Sequence, residues 1–204
     1  MDKGRTRQLL VATRNRGKLA EFERLLGDLG LEFLTLDDVG VAEDVAETGS
    51  SFLENATLKA SRYAMLSGLY TLADDSGLMV DALGGDPGVL SARYGGPGLT
   101  AAQRYRLLLS NLEQVPMEKR IAQFVCVIVL AGPAGNVLHS AQGVCEGRIA
   151  LEAAGTGGFG YDPVFYLPER SMTMAQIPEG EKNWISHRGR AMRAIEPFIP
   201  ELLA

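Results

Sequence analysis

FVCVIVLA, residues 124–131, is an uninterrupted apolar run of the length of a strand. A strand with apolar residues on both faces is typical of the middle of a sheet that is covered on both sides. The turn-forming segment GPAG follows, and residues 137–149 then have the pattern of a second strand. We therefore expect these two segments to form the centre of a sheet.

Strand and helix patterns alternate on either side of this centre. Residues 8–12 (QLLVA) and 31–36 (LEFLTL) have the composition of short strands. Between them, apolar residues repeat at helical spacing, at Phe22, Leu25, Leu26 and Leu29. Together with the central run, this order predicts an α/β fold with a mixed sheet.

Two sequence signatures mark further helix starts. Ser51 with Glu54, and Thr100 with Gln103, have the spacing of a capping box, in which each side chain binds a backbone N–H of the other residue. The first of these helices should run to about Gly68. After it we expect short strands at 70–73 and 78–83, on either side of a DDSG segment.

The composition excludes several classes of protein. The chain has 204 residues and a formal charge of -5, whereas a protein that binds a nucleic acid polymer normally carries a basic excess. No apolar run approaches the roughly 20 residues of a membrane helix. Cys126 and Cys145 have no zinc-ligand spacing and should be free, buried thiols. We expect a single domain over residues 1–204, without a membrane partner and located in the cytoplasm.

TRNRGK, the loop of residues 13–18, separates the first strand from the first helix. The N-terminus of a helix offers unpaired N–H groups and the positive end of its dipole, which favour an anion. The loop is therefore a candidate phosphate site, although it lacks the Walker A pattern. An ordinary turn with an Asn cap would have the same sequence.

Asp74 and Asp75 are adjacent carboxylates at a predicted strand end. They could bind Mg²⁺, which takes oxygen ligands and usually arrives with substrate phosphates. One carboxylate could also accept a proton from an attacking water. The alternative is a simple DDSG turn, in which the side chains bind their own backbone.

GTGGFG, residues 155–160, contains the GxGxxG pattern, but a β-leaning run with a proline follows it where a dinucleotide-binding fold would have a helix. We expect its glycines to allow close approach of a flat ligand, with Phe159 or Tyr161 stacking on a base. The alternative is a mobile glycine hairpin.

Further along the chain, Lys182, His187 and Arg188 could contact phosphate or a purine edge, beside Trp184. The alternative for this group is a solvated basic helix start.

Taken in order, these segments resemble the inosine triphosphate pyrophosphatase family. The similarity covers nearly the whole chain and is carried by five motifs: VATRNRGK (11–18), ETGSSFLENATLKA (47–60), ADDSGLMVDALGGDPGVLSARYGG (73–96), GTGGFGYDPVF (155–165) and EKNWISHRGRA (181–191). The resemblance implies an elongated mixed sheet with helices that form two lobes around a substrate cleft, and a homodimer. It also implies Mg²⁺-dependent cleavage of ITP, dITP and XTP to the monophosphate and pyrophosphate.

The resemblance also implies roles for individual residues. Asp75 would accept the proton and bind metal, together with Asp74 and, as the second acidic ligand, Glu47. Residues implied to bind substrate are Thr13, Arg14, Asn15, Arg16, Gly17, Lys18, Ser76, Phe159, Gly160, Tyr161, Asp162, Lys182, His187 and Arg188. Arg14 stands where the family commonly has glycine, which adds positive charge to the loop.

Two other functions remain open at this point. A pyrophosphatase for modified pyrimidine triphosphates would share the chemistry and differ in the base pocket. A nucleotide-binding protein without activity would bind ITP and release no pyrophosphate.

Overall fold

A seven-stranded sheet forms the centre of the fold. In the computed structural model, which describes residues 8–27 and 30–199, the strands are β1 (Gln8–Val11), β2 (Glu32–Leu34), β3 (Tyr70–Val80), β4 (Ile121–Ala131), β5 (Val137–Ile149), β6 (Phe165–Leu167) and β7 (Met172–Thr173). Their order in the sheet is β2-β1-β3-β4-β5-β6-β7. β1 is parallel to β2 and β3, whereas β6 is antiparallel to β5 and β7. The mixed α/β sheet with residues 124–131 at its centre is confirmed.

The described residues form five helices, which are α1 (Arg16–Leu26), α2 (Phe52–Ser67), α3 (Ala101–Asn111), α4 (Glu179–Ile185) and α5 (His187–Ile195). Two of the five begin directly after the capping residues that the sequence indicates, α2 after Ser51 and α3 after Thr100. The capping box of Thr100 and Gln103 is present at α3. At α2 the hydroxyl of Ser51 accepts from the backbone N–H of Glu54, and the Glu54 carboxylate accepts in turn from the backbone N–H of Ser50 at 2.6 Å. No helix in the described part of the chain is long and apolar enough to span a membrane.

β3 differs most from its sequence-based expectation. Two short strands separated by a turn were expected, but residues 70–80 form one strand of 11 residues that contains the whole DDSG segment. β3 lies between β1 and β4 in the sheet, and β1 pairs with it only as far as Leu72. Beyond Leu72, backbone hydrogen bonds on the β4 side outweigh the local turn preference of Asp, Ser and Gly. The prediction that the carboxylates stand at a strand end was therefore wrong.

The described residues separate into two units, each with its own apolar core. Of the described residues, unit 1 comprises 8–27, 30–75, 126–143 and 191–199, and unit 2 comprises 76–125 and 144–190. The core of unit 1 includes Leu9, Phe22, Leu72, Ile128 and Met192. The core of unit 2 includes Leu78, Leu108, Phe124, Phe165 and Met174. Both cysteines are free and buried, as predicted. That residues 1–204 act as a single domain stays a prediction.

Candidate functional site

The predicted phosphate loop, residues 13–18, joins β1 to α1 in unit 1. Asn15 caps the helix, and its Oδ1 accepts hydrogen bonds from the backbone N–H groups of Gly17 at 2.9 Å and Lys18 at 3.2 Å. Thr13 Oγ1 in turn accepts from the N–H of Asn15. Two of the helix's first N–H groups are thus bound within the protein, so the loop offers an anion mainly the side chains of Arg16 and Lys18.

Arg14 contacts the protein itself. Its guanidinium donates to the carboxylate of Asp37 at 3.2 Å and to the carbonyl oxygen of Val41 at 2.7 Å, and it also reaches the carbonyl of Glu43. The guanidinium of Arg14 therefore joins the loop to the segment of residues 37–43. Its expected contact with substrate stays a prediction.

The two adjacent carboxylates are buried in the middle of β3. β1 ends at Val11, which pairs with Leu72, so Asp74 and Asp75 lie beyond the last strand pair on that side. Lys18, in the first turn of α1, reaches them, with its Nζ 2.8 Å from Asp74 Oδ2. The predicted loop and the predicted carboxylates thus meet within unit 1.

α2 supplies the other partners of Asp75. Asn55 Nδ2 donates to Asp75 Oδ2 at 3.0 Å. Lys59, one turn further along α2, has its Nζ 3.8 Å from Asp75 Oδ1 and 2.5 Å from Glu47 Oε1. The lysine links Glu47 to Asp75 in this way, so three predicted acidic residues belong to one charged cluster.

The surroundings shift the acid–base behaviour of this cluster. Burial raises the pKa of Asp75 above its ordinary value, although the charge of Lys59 and the hydrogen bond from Asn55 act in the opposite direction. Burial alone would lower the pKa of Lys59, but the charges of Asp74, Asp75 and Glu47 outweigh it and raise that pKa. The result is a buried carboxylate that is a stronger base than usual, beside a lysine that stays charged at neutral pH.

The carboxylates of unit 1 offer only oxygen ligands, the type that Mg²⁺ prefers. Within residues 8–27 and 30–199, no three His, Cys, Asp or Glu side chains are grouped so that they could hold a metal ion. Mg²⁺ is commonly bound by one or two carboxylates, with phosphate and water oxygens completing the shell. Asp74 and Asp75 fit that mode by their chemistry, while Glu47 as a further ligand stays a prediction.

Unit 2 contains a second buried charged cluster. Lys182 Nζ lies 2.9 Å from Asp162 Oδ2, and the same oxygen accepts from the backbone N–H of Phe159 at 2.8 Å. Gly158 has a φ of +70°, and a Cβ at this position would collide with the Asp162 carboxylate. A Cβ at Gly155 would meet the backbone of Ala175. Both glycines are therefore required by the protein's own packing, whereas the sequence suggested close approach of a ligand.

Two cationic side chains of unit 2 lie near the ring of Phe159. Lys182 Nζ lies 4.9 Å and the guanidinium carbon of Arg188 5.7 Å from the ring centroid, within the range of cation–π attraction. Arg188 is only 1% exposed and donates to Ser76 Oγ at 2.8 Å. Five residues predicted from the sequence are thus brought together in this unit, namely Ser76, Phe159, Asp162, Lys182 and Arg188.

The cationic residues near the C-terminus are buried, so the alternative of a solvated basic helix start was wrong. His187 stacks on Phe124 with ring centroids 4.7 Å apart. Tyr161 is also buried, and its hydroxyl donates to the carbonyl of Ser91 at 2.8 Å, while burial raises its pKa to about 12. Its aromatic ring belongs to the core of unit 2, so the structure does not support a stacking role for Tyr161.

The glycine loop is neither a dinucleotide-binding loop nor a hairpin. A 3₁₀ helix, Asp162–Val164, and β6 follow it, where the dinucleotide fold would have an α-helix. Rejection of that fold on sequence grounds is confirmed. Gly160 is partly buried and Trp184 is 67% exposed, and their contact with substrate stays a prediction.

Comparison with known proteins identifies the family. The model of the Ham1 family matches residues 9–198. The chain belongs to the Ham1 family. Among relatives of this Ham1 chain, a dITP/XTP pyrophosphatase of Geobacillus kaustophilus is 48% identical over 197 residues, which cover 97% of this chain and 96% of the relative. The dITP/XTP pyrophosphatase of Geobacter sulfurreducens is 48% identical over 192 residues, 94% of this chain and 96% of the relative.

Solved Ham1 structures have the same fold. A HAM1 protein from Coxiella burnetii superposes with a TM-score of 0.87 at 43% identity and covers 95% of this chain and 98% of its own. A nucleoside-triphosphatase / dITP/XTP pyrophosphatase from Mycobacterium abscessus superposes with a TM-score of 0.76 at 45% identity, over 93% of this chain and 99% of its own. The resemblance drawn from the five sequence motifs is confirmed.

Two residues of the unit 1 cluster were not among the predicted site residues. Asn55 and Lys59 lie four positions apart on α2, and both contact Asp75. Their spacing places them on one helix face, and Asn55 is wholly buried. A polar pair at this spacing on a helix that must pack against the sheet is the signal that could have found them.

Proposed function

We propose that this chain hydrolyses dITP, ITP and XTP to the nucleoside monophosphate and pyrophosphate. The observation that carries the proposal is the environment of Asp75, a buried carboxylate of raised pKa that Asn55 and Lys59 hold from α2. Similarity to relatives named dITP/XTP pyrophosphatase supports the choice of substrate.

In the proposed reaction, Asp75 accepts a proton from the water that attacks the α-phosphorus. A bond forms between the water oxygen and this phosphorus, and the bond from the phosphorus to the oxygen that bridges the α- and β-phosphates breaks. Pyrophosphate leaves with the electron pair of that bond. Lys18 and Lys59 lie beside the carboxylates and offset part of the charge that the triphosphate adds.

We propose that the reaction requires Mg²⁺, held by Asp74 and Asp75 with Glu47 as a further ligand. When bound, the ion lowers the pKa of a coordinated water and neutralises phosphate charge. Without it, three carboxylates would repel the substrate. EDTA is therefore expected to abolish activity, and full activity in metal-free buffer would contradict this part of the proposal.

Base recognition is assigned to unit 2. The ring of Phe159 offers a stacking surface, and the buried guanidinium of Arg188 offers donors. ITP and XTP carry an oxygen acceptor at C6 of the purine, whereas ATP carries an amino donor that would face the protein's donors. A site built to hydrogen-bond one such group can reject the other by as much as ~10⁴-fold. The ammonium of Lys182 is paired with Asp162 and lies near the ring of Phe159. We assign Lys182 the role of holding Phe159 in place.

Two further parts of the proposal rest on the family resemblance alone. We propose that the enzyme is a homodimer, which light scattering coupled to size-exclusion chromatography would test. We also propose that it acts in the cytoplasm, on the nucleotide pool from which polymerases draw.

The deciding experiment measures pyrophosphate release from ITP, dITP, XTP, GTP, ATP and modified pyrimidine triphosphates, with Mg²⁺ and with EDTA. We expect kcat/KM for ITP to exceed that for ATP by ~10²-fold or more. Arg188→Ala should bring the kcat/KM values for ITP and ATP closer together, because it lowers kcat/KM for ITP. Equal efficiency on ITP and ATP would contradict base recognition, and binding of ITP without pyrophosphate release would contradict the proposed activity.

A further inference from the structure

Asn55 is wholly buried in α2, and the nitrogen and the oxygen of its side-chain amide form hydrogen bonds with different parts of unit 1. Its Nδ2 donates to Asp75 Oδ2 at 3.0 Å. Its Oδ1 accepts the backbone N–H of Gly49 at 2.8 Å. One side chain thus joins strand β3 to the segment that precedes α2.

These contacts are part of a closed ring of contacts that joins Asp75, two residues of α2 and the segment of residues 47–49. Gly49 stands two residues after Glu47, whose carboxylate contacts Lys59 Nζ at 2.5 Å. The same Nζ lies 3.8 Å from Asp75 Oδ1. The two oxygens of Asp75 therefore face two residues of α2, Asn55 on one side and Lys59 on the other, and each of these also contacts the segment of residues 47–49.

The chemistry of this position suits an amide. An aspartate would still accept from Gly49 but could not donate to Asp75, and it would place a second carboxylate beside the first. A leucine of similar size would lose both hydrogen bonds. Gly49 is matched to this arrangement, because a Cβ there would lie 2.8 Å from Asn55 Oδ1 and 2.6 Å from Glu54 Cβ.

We propose that Asn55 is a positioning residue for the reaction, which orients the Asp75 carboxylate and ties it to the segment that carries Glu47. This inference rests on the proposed function, in which Asp75 accepts the proton. The hydrogen bond from Asn55 to Oδ2 and the position of Lys59 beside Oδ1 together fix the orientation of the carboxylate. Small displacements of a reacting group of this kind cost ~10²-fold in rate.

Three variants separate the two hydrogen bonds of Asn55 from a general loss of stability. Asn55→Asp keeps the acceptor for Gly49 and loses the donor to Asp75, whereas Asn55→Leu loses both. Thr71→Val is the matched control, because Thr71 is wholly buried on β3 and its hydroxyl donates to the carbonyl of Leu69. The measurements are kcat and KM for dITP, and deuterium uptake by the backbone of residues 47–51.

We expect kcat of both Asn55 variants to fall ~10- to 100-fold, with KM changed less than about threefold. Deuterium uptake at residues 47–51 should rise in Asn55→Leu and stay near the wild-type level in Asn55→Asp. Thr71→Val should be less stable with an unchanged kcat. If Asn55→Leu does not fold, Gly49→Ala tests the same contact while Asn55 stays in place, and it should raise uptake and lower kcat.

Either of two results would overturn the positioning role. One is a folded Asn55→Leu protein with kcat within about threefold of wild type. The other is unchanged deuterium uptake at residues 47–51 in that variant. A wild-type protein that releases no pyrophosphate would instead contradict the proposed function, and the deuterium measurement would still decide whether Asn55 holds the segment of Gly49.

Discussion

Asp75→Asn tests the reaction most directly, because it preserves the shape of the side chain and removes its basicity and charge. The new amide oxygen can still accept from Asn55 Nδ2, which lies 3.0 Å from Asp75 Oδ2. The new NH₂ group then faces Lys59 Nζ, 3.8 Å from Asp75 Oδ1 in the wild type. Loss of a general base costs ~10²- to 10⁴-fold in rate, so we expect kcat on dITP to fall by at least that lower factor.

The same substitution should leave stability unchanged or raise it, when measured without metal. Burial raises the pKa of Asp75 despite its favourable contacts, so the ionised carboxylate is disfavoured in the folded state. Because the folded pKa lies above the unfolded value of about 3.9, the stability that Asp75 contributes is complete below that value. It is lost as the pH rises through the folded pKa.

Two assays on the same protein samples check these expectations. Pyrophosphate release from dITP with Mg²⁺ gives kcat and KM, and urea unfolding in EDTA from about pH 3.5 to about pH 7.5 gives the free energy of unfolding. The wild type should lose stability relative to Asp75→Asn as the pH rises. Asp81→Asn is the control, because Asp81 follows the same strand and is exposed.

If the Asp75→Asn protein keeps more than about a tenth of wild-type kcat, Asp75 is not the general base. If Asp75→Asn unfolds at a clearly lower urea concentration than the wild type at neutral pH, burial does not disfavour the ionised Asp75 carboxylate as argued above. The two results are independent, because the first concerns proton transfer and the second the cost of a buried charge.

Three further substitutions test other contacts. Lys182→Met should destabilise the protein by ~3 to 5 kcal/mol in urea unfolding, because it leaves the Asp162 carboxylate buried without the lysine; a loss below about 1 kcal/mol would show that the pair contributes little. Tyr161→Phe removes the hydrogen bond to Ser91 and should cost about 1 kcal/mol with KM for dITP unchanged, whereas a large rise in KM would restore Tyr161 as a substrate contact. Arg120 donates to three backbone carbonyls from a buried position, so Arg120→Met should lower the melting temperature by at least ~4 °C, and an unchanged temperature would refute its structural role.

Much of the architecture follows from local sequence. The continuous apolar run at 124–131 indicates a strand buried on both faces, and it is the central β4. Thr100 and Asn15 mark helix starts, because short polar side chains bind the free N–H groups of a first turn. The site residues Lys18, Asp74 and Asp75 were found from motif and residue type, and the structure brings them together in unit 1.

What the tertiary structure decided concerns residues whose local preference conflicts with their neighbours in space. Asp74 and Asp75 have turn-forming neighbours in sequence, yet they lie inside β3 because this strand stays paired with β4 beyond the end of β1. Tyr161 has an aromatic side chain of the kind that can stack on a base, but its ring packs in the core of unit 2. Sequence patterns report preferences over a few residues, whereas partners such as Asn55 and Asp75 are 20 positions apart, and only the folded backbone sets such distances.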